Sequence, residues 1–207
     1  MNTNIYEFFI NKIYCGNDID LSFVSPITAR KFSKLDKLAL SAMNKCREDN
    51  TAPNLVFGSI HGQFDRLSKL TEQFITENEV SPIGFSSSVH NNTVGVYSLL
   101  TKNNSPYTAI SAGEQTVSSS FCEAVMQLKE NDNVLMCCAE SYKDFNYAIA
   151  ILFSNKKTDN SIKIKMTVPY TEAPISDPDE YLRFEKFLTD KNIQKIDTTF
   201  YRLEKVC

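Results

Sequence analysis

The chain has 207 residues, room for one domain or at most two small ones, and carries a formal net charge of -3 from 22 Lys+Arg against 25 Asp+Glu. Apolar residues at 42% and charged residues at 23% give a globular balance, which excludes a disordered chain. Mild acidity offers no electrostatic footprint for a polyphosphate, so nucleic acid is excluded as a partner class, and the longest apolar run, Tyr147–Phe153, is far short of a membrane helix of ~20 residues.

In chain order, Phe32, Leu35, Leu38, Ala39, Ala42, Met43 and Cys46 share one helical face, and Ser33 with Asp36 forms a capping-box pattern at its start. Asn54–Ser59 is short and β-rich and reads as a buried strand. Helical spacing returns with Phe64, Leu67, Leu70 and Phe74, Pro82 breaks the chain, and a third helix is expected from near Ser88 through Val94 and Leu99 to Lys102. Pro106–Ser111 reads as a strand, Thr116–Leu128 as a helix and Asn133–Ala139 as a strand, together a right-handed βαβ unit. Tyr147–Ser154 and Ile162–Val168 read as strands paired antiparallel across the turn Asn155–Asn160. Beyond the proline-containing loop Pro169–Pro178, Glu180–Leu188 reads as a helix capped by Asp177 or Asp179, and Thr198–Glu204 as a final edge strand. With no repeat or linker, residues 1–207 read as a single α/β domain.

Six cysteines (Cys15, Cys46, Cys122, Cys137, Cys138, Cys207) are scattered without a CxxC pair, and the first residues lack the basic and apolar regions of a signal peptide. Reduced thiols in a cytoplasmic protein are the expectation, and the sequons at Asn91 and Asn103 then carry no meaning. The strand from Pro106 runs through a tight turn directly into a helix. Such an elbow exposes one side chain at a helix N-terminus, where the dipole favours an anion or a thiolate. Here the apex offers Glu114 between Gly113 and Gln115, and Ser118, Ser119 and Ser120 lie inside the helix. Glu114 is equally well explained as an acidic residue suited to a first helical turn.

Histidine is scarce: His61 and His90 both precede the elbow. A structural hydrogen-bonding role outweighs catalysis for each, and Cys122, Cys137 and Cys138 sit mid-element in apolar runs, where thiols read as core. There is no patterned metal-ligand set and no glycine-rich phosphate loop, so no metal and no cofactor are expected.

The segments Leu55-Val-Phe-Gly-Ser-Ile-His-Gly62, Ser81-Pro-Ile-Gly-Phe-Ser-Ser-Ser-Val-His-Asn91 and Ala109-Ile-Ser-Ala-Gly-Glu-Gln-Thr116 resemble the N-terminal half of β-ketoacyl synthases over roughly residues 23–153. More narrowly, they are similar to the short chain-length-factor-like subunits of aryl polyene biosynthesis. The resemblance implies a thiolase-like fold truncated to about one half, with a mixed sheet flanked by helices and 155–207 as a divergent C-terminal extension. In that family the elbow apex is a cysteine that takes the acyl chain as a thioester, and two histidines of the second half assist condensation. By that correspondence the apex falls on Glu114, with Gly113 or Gln115 as adjacent registers. No histidine follows Glu114.

The resemblance therefore implies a non-catalytic subunit that pairs with a full-length β-ketoacyl synthase as a heterodimer and shapes its acyl tunnel, meeting acyl carrier protein only through that complex. Tunnel and interface positions implied in this way are Phe85, Ser88, His90, Asn91, Tyr107, Ala109 and Ser111. Two other classes compete: a free-standing thioester acyltransferase or hydrolase using Cys or Ser with His61 or His90, and a binding module for an acyl carrier protein.

Overall fold

The computed structural model describes residues 3–169 and 179–206. Its strands are β1 (Asn4–Gly16), β2 (Asn54–Gly58), β3 (Tyr107–Ile110), β4 (Asn133–Tyr142), β5 (Phe145–Ser154), β6 (Ile162–Val168), β7 (Lys195–Asp197) and β8 (Arg202–Val206). Its helices are α1 (Pro26–Ala29), α2 (Lys34–Lys45), α3 (Phe64–Glu77), α4 (Pro82–Ser86), α5 (Asn92–Thr101), α6 (Thr116–Gln127) and α7 (Glu180–Thr189). The strands form one mixed sheet in the order β3-β2-β4-β5-β1-β6-β8-β7.

The expected βαβ unit is present. Strands β3 and β4 both run parallel to β2, which lies between them, and α6 makes the crossover. Every residue of β2 is buried, as expected of a strand covered on both faces. Helix α2 starts where its capping box predicts: Asp36 N–H donates to Ser33 Oγ and Ser33 N–H donates to Asp36 Oδ2, both at 3.0 Å.

Helices α2 and α5 cover one face of the sheet around Leu38, Leu40, Met43, Phe57, Tyr97 and Leu135. Helices α6 and α7 cover the other around Phe8, Phe121, Phe153, Phe184, Phe187 and Tyr201. Residues beyond 155 therefore complete this second core, supplying Phe184, Tyr201 and Leu203 to it. Among the described residues, no helix is long and apolar enough to cross a membrane.

Several expectations are corrected. The strands over Tyr147–Ser154 and Ile162–Val168 are not neighbours, because β1, which periodicity did not reveal, inserts between them and pairs antiparallel with both. Pro82 opens helix α4 rather than simply breaking the chain, with Gly84 N–H donating to Ser81 Oγ at its start. A turn at Ser87–Asn91 then delays the next helix to Asn92. At the C-terminal end the edge strand is β7, and β8 pairs on both sides, with β6 and β7. Asp179 occupies the cap position of α7 without a side-chain cap bond. Asp177, Cys207 and most of the loop after Pro169 lie outside the described residues.

Candidate functional site

The parallel strands β3, β2 and β4 end on the same side of the molecule, and the chemistry-bearing loops gather there, as in open α/β sheets generally. The β2 loop is built around Glu140, a residue whose role was not visible in the sequence. Glu140 is buried at the end of β4, and its Oε2 accepts Ile60 N–H at 2.7 Å, Ser59 Oγ–H at 3.2 Å and His61 N–H at 3.3 Å. Its other oxygen, Oε1, lies 3.3 Å from His61 Nδ1. The His61 ring stacks on Tyr142 at 3.8 Å between centroids, and Phe64 meets the edge of the same tyrosine.

His90 joins this loop from the opposite side, its Nε2 lying 2.8 Å from Ser59 O. It is packed so closely that a Cβ on Gly62 would sit 2.6 Å from His90 Cδ2, and Gly62 also has φ +54, so glycine is required there twice over. Ser111 Oγ–H donates to Ile60 O at 3.0 Å, which ties the loop to the end of β3. Of the residues singled out in the sequence, His61, His90 and Ser111 are thus brought together, His61 beside the Glu140 carboxylate and on the Tyr142 ring, His90 at Ser59 O.

The elbow is present. After β3 the chain makes a single 3-10 turn over Gly113–Gln115 and enters α6 at Thr116. Gly113 takes φ +57, and Ala112 N–H donates to Thr116 Oγ1 at 3.0 Å while that hydroxyl donates to Gly113 O at 2.7 Å. Glu114 sits exposed in the turn, and Gln115 Nε2 donates to Thr199 Oγ1 at 3.1 Å.

The amides at the start of α6 are already occupied. Val117 N–H donates to Glu180 Oε2 at 2.7 Å and Ser118 N–H to Glu180 Oε1 at 3.0 Å, and Glu180 is buried at the N-terminus of α7. Tyr201 Oη–H donates to Ser118 O at 2.7 Å. A carboxylate from the C-terminal segment therefore fills the place where the dipole of α6 favours an anion. No local pattern in the sequence pointed to this pairing.

Cys137 and Cys138 lie in the core, as their apolar runs implied. Cys46, Cys137 and Cys138 are buried, and burial pushes the Cys138 thiol up to about 12 and holds Cys137 well above the ordinary thiol value. Cys122 is half-buried and its thiol is also raised, first by burial and then by Glu123. Ser118 and Ser120 are buried within α6, and Ser120 Oγ–H donates to Thr116 O.

The remaining expected positions are exposed or half-buried. Phe85 on α4 is 62% exposed, with Ile83 beside it at 81%. Ser88 Oγ–H turns back to Phe85 O, and Asn91 precedes α5 without a side-chain cap bond. Leu99 on α5, Tyr107 on β3 and Val89 in the turn before α5 are further exposed apolar side chains. Strand β3 is the sheet edge: Leu55 N–H donates to Pro106 O and Ser59 N–H to Ile110 O. By the alternation of a parallel ladder, the amides of Tyr107 and Ala109 then point away from β2, outward.

The sequence matches the β-ketoacyl synthase N-terminal domain family over residues 12–167. No curated protein sequence matches the chain. Among solved structures it is similar to a chain of the ketosynthase ApeO in complex with its chain length factor ApeC from Xenorhabdus doucetiae, with a TM-score of 0.73 and 16% identity over 95% of this chain and 98% of that one. The two chains are thus nearly equal in length. The ishigamide ketosynthase/chain length factor gives a TM-score of 0.56 at 14% identity, covering 73% of this chain and 51% of that one. A β-ketoacyl synthase from Burkholderia phymatum STM815 gives 0.54 at 10% identity, covering 67% of this chain and 46% of that one. Against these last two, the chain spans about half of the other protein's length. The fold is thiolase-like, about one half of a ketosynthase, with a mixed sheet flanked by helices.

Proposed function

The chain belongs to the β-ketoacyl synthase family through its N-terminal domain, and from that premise we propose that it is a non-catalytic, chain-length-factor-like subunit that pairs with an active β-ketoacyl synthase and shapes its acyl tunnel. The observation that carries this reading is the elbow. Condensation by decarboxylation needs an activated thiolate and donors aimed at the developing oxyanion. At this elbow stands Glu114, and the first free amides of α6 are bonded to Glu180.

The edge strand β3 supports the pairing, because an unpaired edge with apolar flanks invites another strand. Leu99, Tyr107, Ile83 and Phe85 would be covered in the same event, and Phe85 with Ser88 and His90 would border the partner's acyl chain. The likeness over 95% of this chain to a chain of the ApeO–ApeC ketosynthase–chain length factor complex supports a partner subunit. The resemblance to aryl polyene subunits carries the product class, and the complex would meet acyl carrier protein in the cytoplasm.

Co-expression with a candidate full-length ketosynthase, followed by size-exclusion chromatography and intact-mass measurement, tests the proposal. A one-to-one complex is expected, with any acyl adduct on the ketosynthase. A chain that stays monomeric beside the ketosynthase at micromolar concentration, or a stoichiometric adduct on Cys122, Cys137 or Cys138, overturns it.

A further inference from the structure

The segment proposed to wall the tunnel has its own turn and cap bonds, but its place on the fold is set by contacts from outside it. Helix α4 has five residues, none of them buried. It rests on α3 through Leu70, which approaches so closely that a Cβ on Gly84 would lie 2.9 Å from Leu70 Cδ2. Its C-cap, Ser87, is pinned by Arg66 of α3, whose Nη1 donates to Ser87 O at 3.1 Å. The other arm of the same guanidinium donates to Lys31 O at 3.1 Å and lies 3.6 Å from Asp36 Oδ2.

Asp36, 1% exposed, fixes the far end of the segment. Its Oδ1 accepts Thr93 Oγ1–H at 2.8 Å, Asn92 Nδ2–H at 3.2 Å and Gln63 Nε2–H at 2.7 Å. Between these two anchors, His90 is held at Ser59 O. Residues 87–93 are therefore fixed at three points, by Arg66, Ser59 O and Asp36, all of them outside the segment.

We infer that Arg66, seated on Asp36, is a positioning residue for chain-length selection: it acts through the Ser87 carbonyl to set where α4 carries the Phe85 ring. The inference rests on the proposed tunnel-wall role of Phe85. A planar fork suits the task, since one guanidinium reaches two separate carbonyls and still faces a carboxylate, whereas a lysine ammonium is a point charge that satisfies one carbonyl at a time. Charge alone at this place is retained by Arg66→Lys. The two-carbonyl grip is not.

The experiment uses the complex with its ketosynthase and compares Arg66→Lys with Phe85→Ala for product length, and it follows amide exchange of the full chain. The expected result is a product distribution shifted or broadened by Arg66→Lys in the same direction as by Phe85→Ala. Amides between 84 and 93 should exchange about tenfold faster or more, with β2 and β4 still protected. A product shift under Phe85→Ala alone overturns the inference and leaves the tunnel wall standing. An unshifted product under both variants overturns the tunnel wall and the inference with it. A shift under Arg66→Lys with unchanged exchange of 84–93 shows that the residue acts otherwise, and also overturns the positioning role.

Discussion

Glu180 and Val117 meet at 2.7 Å although they stand 63 residues apart, so the first turn of α6 is closed by a side chain from α7. The contact joins the elbow to the C-terminal segment, and it makes that segment a structural requirement of the elbow.

Glu180→Gln should destabilise the chain by about 1.5–3 kcal/mol, because the amide keeps one acceptor but turns a donor toward a buried N–H. Chemical denaturation of the purified chain checks this. A loss below about 0.5 kcal/mol would show that the two bonds to Val117 and Ser118 N–H contribute little.

Glu114→Ala should matter far less. An exposed carboxylate in the first turn contributes ~0.3–1 kcal/mol through the dipole. In the complex most condensation activity should survive the change. Loss by several orders of magnitude with the complex intact would make Glu114 catalytic.

Ala109→Pro tests the edge. The Ala109 amide points away from β2, so proline removes a donor offered to a partner strand while the β2–β3 ladder keeps its bonds. The folded chain should persist by circular dichroism and the complex should separate on a sizing column. An interface of this kind buries on the order of 2,000 Å² or more, and the chain alone should self-associate. Unchanged association would remove β3 from the interface.

Phe85→Ala should leave the melting temperature of the isolated chain nearly unchanged, since the ring is 62% exposed. In the complex it should lengthen or blur the product distribution by opening a cavity in the tunnel wall. An unaltered profile from an intact complex would take Phe85 out of the site.

The buried thiols make alkaline stability predictable in sign. Cys46 and Cys138 are pushed from about 9 up to about 12, chiefly by burial. In the unfolded chain they ionise near pH 9 while the folded chain keeps their protons, so their stabilising contribution is complete below pH 9 and is lost as pH rises toward 12. Tyr97, Tyr181 and Tyr201, also raised by burial, add to the fall at higher pH. Urea midpoints should decline from about pH 9 upward, and a rising midpoint over that range would contradict the burial of these groups.

The Ser33–Asp36 capping box and the buried strand β2 were legible because each is encoded within a few consecutive residues, and the β3–α6–β4 crossover because its three elements follow one another with short connections. Strand β1 was not, and the reason lies in its register. Tyr6, Phe8 and Ile10 face the α6–α7 core, then a bulge between Ile10 and Lys12 shifts the phase, so that Ile13 and Cys15 continue the same face. Alternation counted along the sequence breaks at that point. In α3 the apolar spacing of Phe64, Leu67 and Phe74 correctly announced a helix, yet only Leu70 is buried, because spacing reports a face without saying what covers it. At the site, the elbow followed from local order, whereas Glu140 and Glu180 act on amides 80 and 63 residues away. A carboxylate directly after the apolar run Val134–Ala139 was the one available signal for Glu140.

The place of β1 in the sheet has a consequence for synthesis. It precedes both of its partners in the chain by a long stretch: they are β5 and β6, with Gly16 opposite Ala148 and Asn4 opposite Val168. An apolar segment with Phe8, Phe9 and Ile10 must therefore wait with both edges open until the distant strand β5 has been made. The hairpin of β4 and β5, closed by two residues between Tyr142 and Phe145, is local and forms quickly, and it supplies the first edge onto which β1 can dock. Nascent chains that stop before β5 carry a strand with nowhere to go, so they should precipitate or be held by chaperones, and solubility should return only once β5 has emerged.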